Sequence, residues 1–436
     1  MWNYHPDLLA TPVPRYTSYP TAADFGKLDE GMIERAIAGS YGDVSLYLHI
    51  PFCEKICYYC GCNTGAAGRR ARVETYLEAL HQELATVASL LPQSARVRRI
   101  AFGGGSPNAI LPREFLALVD ALHHHFPLFA PEWSIELDPR SLTAEWGHVV
   151  REVGITRASM GVQTFAPHCQ KAIGREQPTA MICRSIDWLR AGGVTSLNFD
   201  LMYGLPHQTM VDLADSLEHT RMLGADRVAV FGYAHVPHMV PRQTMILEAA
   251  LPGAEARFAM AAQAHEFLTG NGYEAIGFDH FALPHDPMAR VTREGKLRRN
   301  FQGFTDDPAE VLIGMGSSAI SGFPGLYAQN EKHNGRYRAQ SAAGQLSASH
   351  GIARSPEDRL RGGVIEALLC RGEAQLSPCL LADTQVRLAP FTQRGLAELS
   401  GTNLRILAAG LPYARVIASL FDSYRAVTKR QFSSAI

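Results

Sequence analysis

VSLYLHIPFCEKICYYCGC, residues 44–62, is the stretch whose reading decides the fold. Residues 44–50 form a short apolar and β-branched run, the pattern of a buried strand. The next twelve residues carry four of the chain's eight cysteines, Cys53, Cys57, Cys60 and Cys62. A loop bearing C-x3-C-x2-C at the carboxyl end of a strand can wrap three thiolates around three corners of an iron–sulfur cube. The fourth iron is then left for a small molecule. Soft thiolates also suit zinc, but zinc sites usually draw two ligand pairs from separated places. Cys169, Cys183, Cys370 and Cys379 show no ligand spacing, so iron–sulfur is favoured over a zinc knuckle.

Outward from this stretch a strand–helix rhythm repeats. Strands are expected at 97–102, 133–137, 157–162, 196–202 and 227–233, and helices at 73–91, 112–126, 142–153, within 165–191, at 209–223 and 254–271. A further strand is expected near 273–278. Such alternation builds βα units around a parallel sheet. Six units fall short of a closed eightfold barrel, so the fold class expected is α/β, a partial (β/α)6 barrel with its chemistry at the carboxyl ends of the strands. Residues 1–40 read as an extended N-terminal arm, 41–340 as the catalytic domain and 341–436 as a mostly helical C-terminal domain with room for a β hairpin. The small-residue segment 339–351 is the expected linker.

The strand ends carry the remaining site signals. Gly103, Gly104 and Gly105 before Ser106 let a ligand approach bare backbone. The pattern is not G-x-G-x-x-G, which argues against a dinucleotide. Glu136 and Asp138 end the third strand, Gln163 the fourth, Asp200 the fifth, and Ala234 and His235 the sixth. Any one of these could be a turn residue; their recurrence at strand after strand points to one mouth. The histidines, including the run 123–125, His235, His238 and His280, form no recognisable metal set.

Bulk composition is neutral in its message. Of 436 residues, 46% are apolar and 19% charged, and the net charge of −1 gives no pull towards nucleic acid. No apolar run approaches a membrane span, and the first residues do not read as a secretory signal, so a cytoplasmic protein is expected.

C-x3-C-x2-C after the first strand of a βα barrel resembles the radical S-adenosylmethionine superfamily. Within it the chain is similar, over nearly its whole length, to the oxygen-independent coproporphyrinogen III oxidases. The stretches that carry the likeness are PRYTSYPTA, LYLHIPFCEKICYYCGCN, GGGSP, IELDPR, SMGVQTF, GREQ, FDLMYGLP, FGYAH, GFDHFA, RRNFQGF and IGMGSSAIS. The resemblance implies a radical SAM barrel and removal of hydrogen and carbon dioxide from two propionates of coproporphyrinogen III, by way of a 5′-deoxyadenosyl radical. It implies a 4Fe-4S cluster on Cys53, Cys57 and Cys60 and two S-adenosylmethionine molecules. The first molecule would meet Tyr59, Gly105, Ser106, Gln163, Arg175, Asp200 and Ala234, with Arg175 on its carboxylate and Asp200 on its ribose. The second would meet Tyr47, Gly104, Glu136 and Ile320. A low-potential flavodoxin- or ferredoxin-like donor is also implied, together with an electron acceptor that the resemblance does not identify.

Cys62 matches the family's additional cysteine, which is not a cluster ligand, and its thiol is expected to face the cavity, away from the cluster. Arg15, with Arg298 and Arg299, is a candidate for the substrate's carboxylates, and arm and C-terminal domain are candidate lids. The rival readings are a haem chaperone of the same fold, whose members typically lack the extra cysteine and the RYTSYPTA arm, and another tetrapyrrole-acting radical enzyme.

Overall fold

The computed structural model describes residues 2–425. Six strands, β1 (Gly42–Ile50), β2 (Ala95–Gly104), β3 (Leu128–Leu137), β4 (Arg157–Gln163), β5 (Ser196–Tyr203) and β6 (Arg227–Gly232), pair in parallel and in chain order. Helices α1 (Arg70–Leu90), α2 (Pro112–His125), α3 (Ala144–Val153), α4 (Thr179–Ala191) and α5 (Met210–Met222) return the chain between them, and α6 (Ala254–Gly270) follows β6. The partial barrel expected from the rhythm is present.

Side-chain alternation sorts β1 into two faces. Val44, Leu46, Leu48 and Ile50 are fully buried in the main core, while Tyr47 Oη and His49 Nδ1 pair at 3.2 Å on the other face. On α1, Val73, Tyr76, Leu77, Leu80, Leu84 and Val87 recur at helical spacing and are buried in the same core. Each such side chain contributes about 1.5–3 kcal/mol on leaving water.

The sheet is extended rather than closed. The strand expected near 273–278 exists as β7 (Glu274–Ile276), but it pairs antiparallel with β8 (His280–Ala282), which pairs antiparallel with β6. Three residues join β7 to β8, far too few for the crossover a parallel unit needs. At the other edge, β9 (Val311–Met315) lies parallel to β1, followed by the antiparallel β10 (Ile320–Phe323), β11 (Leu326–Asn330) and β12 (Ala348–Ala353).

Segment 339–351 is not a loose linker: it holds the end of the helix Asn334–Ala342 and the start of β12. Small residues suit β12, where a Cβ on Gly351 would meet the carbonyl of Tyr327. The arm is likewise built in. Gly26–Lys27 pairs with β12, and Leu9, Val13, Tyr16 and Tyr19 are buried in a second core with residues of the helices Pro356–Arg371, Pro378–Gln393 and Ala414–Ser419. Tyr16 donates to Asp422 Oδ2 at 2.9 Å. The C-terminal part is helical, as expected, with a three-stranded sheet (Glu373–Gln375, Ala397–Ser400, Asn403–Ile406) in place of a single hairpin. Residues 426–436 of that expectation lie outside the described residues.

The amino ends of the strands are plugged by charge. Arg157 donates to Glu132 at 2.5 Å and to both oxygens of Asp306 at 2.9 and 3.0 Å, and Arg99 reaches Asp306 at 2.5 Å. Burial alone would raise the Asp306 carboxyl, but Arg157 and Arg99 hold it well below the carboxylate range. The opposite end carries the site.

Candidate active site

The cysteine loop leaves β1 at Pro51 and is tied down by backbone. Phe52–Cys53 pairs with Gly65–Ala66; Gly65 donates to Pro51 O at 2.8 Å, Ser106 to Phe52 O at 2.8 Å and Tyr58 to Ile173 O at 3.0 Å. A Cβ on Gly105 would lie 2.5 Å from Phe52 O, one on Gly104 (φ +113°) 2.6 Å from the His49 ring, and one on Gly103 2.7 Å from the Glu136 carboxylate. On its Cβ side the glycine run therefore lies against the cysteine loop, His49 and Glu136. The Ser106 hydroxyl is also turned inward: it pairs with Asn108 Oδ1 and accepts from the Asp138 N–H at 3.2 Å, joining the β2 and β3 exits.

Side chains secure the rest of the loop. Gln243 Nε2 donates to Tyr59 O at 2.9 Å and Ala234 O at 3.1 Å, Arg242 to Thr64 Oγ1 at 3.0 Å, and Arg140 to Lys55 O at 2.9 Å. None of these three carries a motif of its own. Arg140 could have been suspected from IELDPR, but nothing in the sequence marks Arg242 or Gln243.

Cys57 is the most heavily solvated thiol by cations. Its Sγ accepts from Arg140 Nη2 at 3.2 Å and Arg175 Nη1 at 3.3 Å. Both arginines also hold Asp138 Oδ2, at 2.7 and 3.2 Å, and Arg175 clasps Gly161 O through Nε and Nη2 at 2.9 and 2.6 Å. Burial pushes the Cys53 thiol up to about 12. The Cys60 thiol falls to about 6, chiefly through a hydrogen bond from Cys62. The Cys62 thiol interacts with Cys60 and has Glu136 and Cys53 as neighbours.

No three of the thiols of Cys53, Cys57, Cys60 and Cys62 lie within 4.8 Å of one another. Bonds of about 2.3 Å to one tetrahedral zinc would bring them to roughly 3.8 Å. An all-sulfur donor set fits an iron–sulfur cluster, and two guanidinium groups suit its thiolates. Among the described residues the close metal-ligating group is instead His168, Cys169 and Asp212, outside the mouth. Asp212 there already caps α5 through Thr209 N and Oγ1 at 2.8 and 2.7 Å.

Inside the barrel a cavity of about 330 Å³ is lined by Glu136, Ser159, Asn198, Asp200, Arg227 and Phe231, among others. Asp200 accepts from Ser159 Oγ at 2.9 Å and Asn198 Nδ2 at 2.8 Å. Glu136 has the Gly104 N–H at 3.2 Å, and burial, with Asp200 nearby, raises it to about 7. Carboxylates lining this cavity suit a sulfonium ion and ribose hydroxyls, and Arg227 and His280 stand near Asp200. Gln163 sits at the β4 exit with φ +68°, a conformation that costs about 1–3 kcal/mol and often marks a functional site. Burial raises the Tyr47 hydroxyl far above its usual range, and Ile320 lies at the start of β10, one strand beyond β9, which pairs with β1. Tyr59 packs with Ile173, Leu205 and Tyr233, its phenol likewise raised by burial. Arg15 lies off this cavity: Nη2 donates to Gly232 O at 3.1 Å and its guanidinium covers Phe231 at 5.1 Å. Arg299 binds Tyr16 O and Arg15 O at 2.8 and 3.0 Å, and Arg298 binds Pro308 O at 3.0 Å, so these two staple backbone.

The Glu136 shift has a measurable sign. A folded value of about 7 against 4.5 unfolded means the folded chain binds the extra proton, so stability falls as pH rises between those values. In cluster-free protein, Glu136→Gln should therefore gain stability over the unmodified chain, the gain growing from pH 5 to pH 8 and reduced in size by solvent at this exposed side chain. Thermal melts at both pH values test this; a pH-independent difference would contradict it.

A family model for the radical SAM superfamily matches residues 47–220, which span the cysteine loop and the strand ends of β1 to β5. The chain is 42% identical over 425 residues to the oxygen-independent coproporphyrinogen III oxidase of Paracoccus denitrificans, covering 94% of each chain. It belongs to the oxygen-independent coproporphyrinogen III oxidase family. The family's Escherichia coli member is 37% identical over 439 residues, covering 97% of this chain and 96% of that one. The solved structure of coproporphyrinogen III oxidase from Escherichia coli, described as a radical SAM enzyme, superposes with a TM-score of 0.91 at 36% identity, covering 97% of this chain and 99% of the other. Both the arm and the C-terminal part fall within this family match. No helix among the described residues is long and apolar enough to cross a membrane.

Proposed function

We infer that this chain converts coproporphyrinogen III to protoporphyrinogen IX without oxygen, turning two propionates into vinyl groups, with a 4Fe-4S cluster and two S-adenosylmethionine molecules. The observation that carries the reading is the three-thiol loop held by Arg140 and Arg175 at the mouth of a barrel whose wall presents Glu136 and Asp200. When bound, cluster and sulfonium cofactor supply a carbon radical able to remove a hydrogen atom from an unactivated carbon.

The chain's own residues set the conditions. Cys53, Cys57 and Cys60 are the cluster ligands. Arg175 and Arg140 donate to the Cys57 Sγ and orient it, and Arg175 is positioned for the carboxylate of the first S-adenosylmethionine. Asp200, held by Ser159 and Asn198, takes ribose hydroxyls, while Gln163, Gly105, Ser106, Tyr59 and Ala234 shape the same mouth. Tyr47, Gly104, Glu136 and Ile320 form the wall for the second molecule. Cys62 and Arg15 act on the substrate. Each propionate gives up a hydrogen atom, carbon dioxide and one electron, so an acceptor must take that electron. A low-potential flavodoxin- or ferredoxin-like protein in the cytoplasm is the donor.

Two variants test the substrate roles. Because the arm is part of the second core, point changes are the cleaner probe than truncation. Cys62→Ser and Arg15→Gln should retain the full iron and sulfide content and lose at least tenfold in protoporphyrinogen formation under anaerobic conditions. Haem titration runs in parallel. Stoichiometric haem binding with no porphyrinogen product from the unmodified protein would favour the chaperone and overturn the reading.

A further inference from the structure

Away from the mouth, side chains of two helices meet at one point. His168 and Cys169 belong to the short helix Pro167–Ala172, which follows the β4 exit, and Asp212 belongs to the first turn of α5. An imidazole nitrogen, the Cys169 Sγ and an Asp212 carboxylate oxygen all lie within 4.8 Å of one another. His168 Nε2 and Asp212 Oδ2 are 3.4 Å apart. Bonds of about 2.0–2.3 Å to one tetrahedral zinc ion put neighbouring ligand atoms roughly 3.3–3.8 Å apart, so small side-chain rotations close the set.

Both sides of the group are held in place. Ser216 Oγ of α5 accepts from the Phe165 N–H at 3.0 Å and pairs with Thr164 Oγ1 at 3.3 Å, which fastens the residues before the short helix to α5. Gln170 Nε2 donates to Thr164 O at 2.8 Å and Gln177 O at 3.1 Å, and the Gln177 N–H returns to Gln170 Oε1 at 3.0 Å. His168 and Cys169 thus ride on a segment tied down before and after them. Asp212 Oδ2 accepts from Thr209 N and Oγ1, the kind of outer hydrogen bonding that orients a ligand carboxylate.

Helix capping explains Asp212, and an ion pair with Asp212 explains His168. Neither explains Cys169. It is fully buried, and its Sγ makes no hydrogen bond among the described residues although an imidazole and a carboxylate stand beside it. The His168 ring is half exposed, so an ion can enter from solvent and keep a water.

We propose that His168, Cys169 and Asp212 bind one divalent ion of the zinc class, with water in the fourth position. A thiolate beside an imidazole selects such an ion over magnesium or calcium. Cys169 enters as the thiolate and its proton passes to solvent. Thiolate and carboxylate together then match the two charges of the ion. The ion ties the short helix to α5, and its ligands are separate from Cys53, Cys57 and Cys60.

The test is uptake of zinc by anaerobically reconstituted holoenzyme, whose cluster cysteines already carry iron. Equilibrium dialysis against zinc, followed by elemental analysis, should find one zinc per chain beside unchanged iron. His168→Ala and Cys169→Ser should each raise the zinc Kd at least tenfold. Zinc should raise the melting temperature of the unmodified protein and leave that of His168→Ala where it was, since an ion stabilises only the state that binds it. X-ray absorption at the zinc edge should show one sulfur among nitrogen and oxygen ligands. The half-exposed position of His168 keeps its variant informative even if Cys169→Ser fails to fold. Unchanged zinc affinity in His168→Ala would overturn the proposal. So would zinc held by three or four sulfurs, or zinc uptake matched by loss of iron, since the ion would then sit on the cluster loop.

Discussion

Replacing Cys53, Cys57 or Cys60 by alanine is expected to leave a folded chain with no stable 4Fe-4S centre and no cleavage of S-adenosylmethionine. The loop is fixed independently of its sulfurs. Phe52–Cys53 pairs with Gly65–Ala66 by backbone, Arg140 holds Lys55 O, and Gln243 holds Tyr59 O. A missing thiol therefore removes a ligand without releasing the frame. Three protein ligands leave no spare: the fourth site must stay open for the cofactor, so two thiolates cannot hold the cube. Cys62 stands against Cys60 and is the one thiol placed to substitute. A residual cluster confined to Cys60→Ala would expose such rescue. Iron, sulfide and 5′-deoxyadenosine are the quantities to measure after anaerobic reconstitution. Full clusters in all three variants would refute the ligand set.

The second large effect is expected at Arg175. Arg175→Met strips a buried cation from Asp138, Cys57 Sγ and Gly161 O at once. Breaking one side of a buried charge pair costs about 3–5 kcal/mol, and Arg140, still on Asp138 at 2.7 Å, places the loss at the lower end of that range. Binding of S-adenosylmethionine should weaken by tenfold or more, because a charge-assisted hydrogen bond contributes roughly 1.5–3 kcal/mol. Arg175→Lys keeps the charge but not the planar fork, so it should recover stability better than affinity. Equilibrium binding separates the two cofactor sites: the unmodified protein should bind two molecules, Arg175→Met should weaken one, and Glu136→Ala the other. Unaltered affinity and melting temperature in Arg175→Met would remove this residue from the site.

The barrel was legible because its signal is periodic and repeated. Strands β1 to β6 each carry a buried apolar run, and polar residues stand at their carboxyl ends. The edges were less legible. Residues 273–278 read as another strand, but whether a three-residue strand pairs parallel or antiparallel depends on the length of its connection. Segment 339–351 reads as a linker on composition, yet small residues also suit a strand packed closely against its neighbour, as Gly351 is against Tyr327.

At the site, residue types with one chemistry were easier to place than those with several. The cysteine spacing pointed straight to its loop. Ser106 and the glycines also have close protein neighbours, Asn108, the Asp138 N–H, Phe52 and His49, that the sequence did not reveal. A glycine run signals close approach, and sequence does not say whether the approaching atoms belong to a ligand or to the next loop. Arg15 was legible as an unusual cation in an aromatic arm.

The account's central claim is radical removal of hydrogen from the substrate's propionates, and an isotope measurement tests it most directly. Coproporphyrinogen III deuterated at the propionate carbons next to the pyrrole rings is incubated anaerobically with the reconstituted protein, S-adenosylmethionine and a reductant. The predicted result is protoporphyrinogen IX together with 5′-deoxyadenosine that has gained deuterium from the substrate. Protoporphyrinogen IX accompanied only by unlabelled 5′-deoxyadenosine, or labelled substrate returned intact beside a reduced cluster, would contradict it.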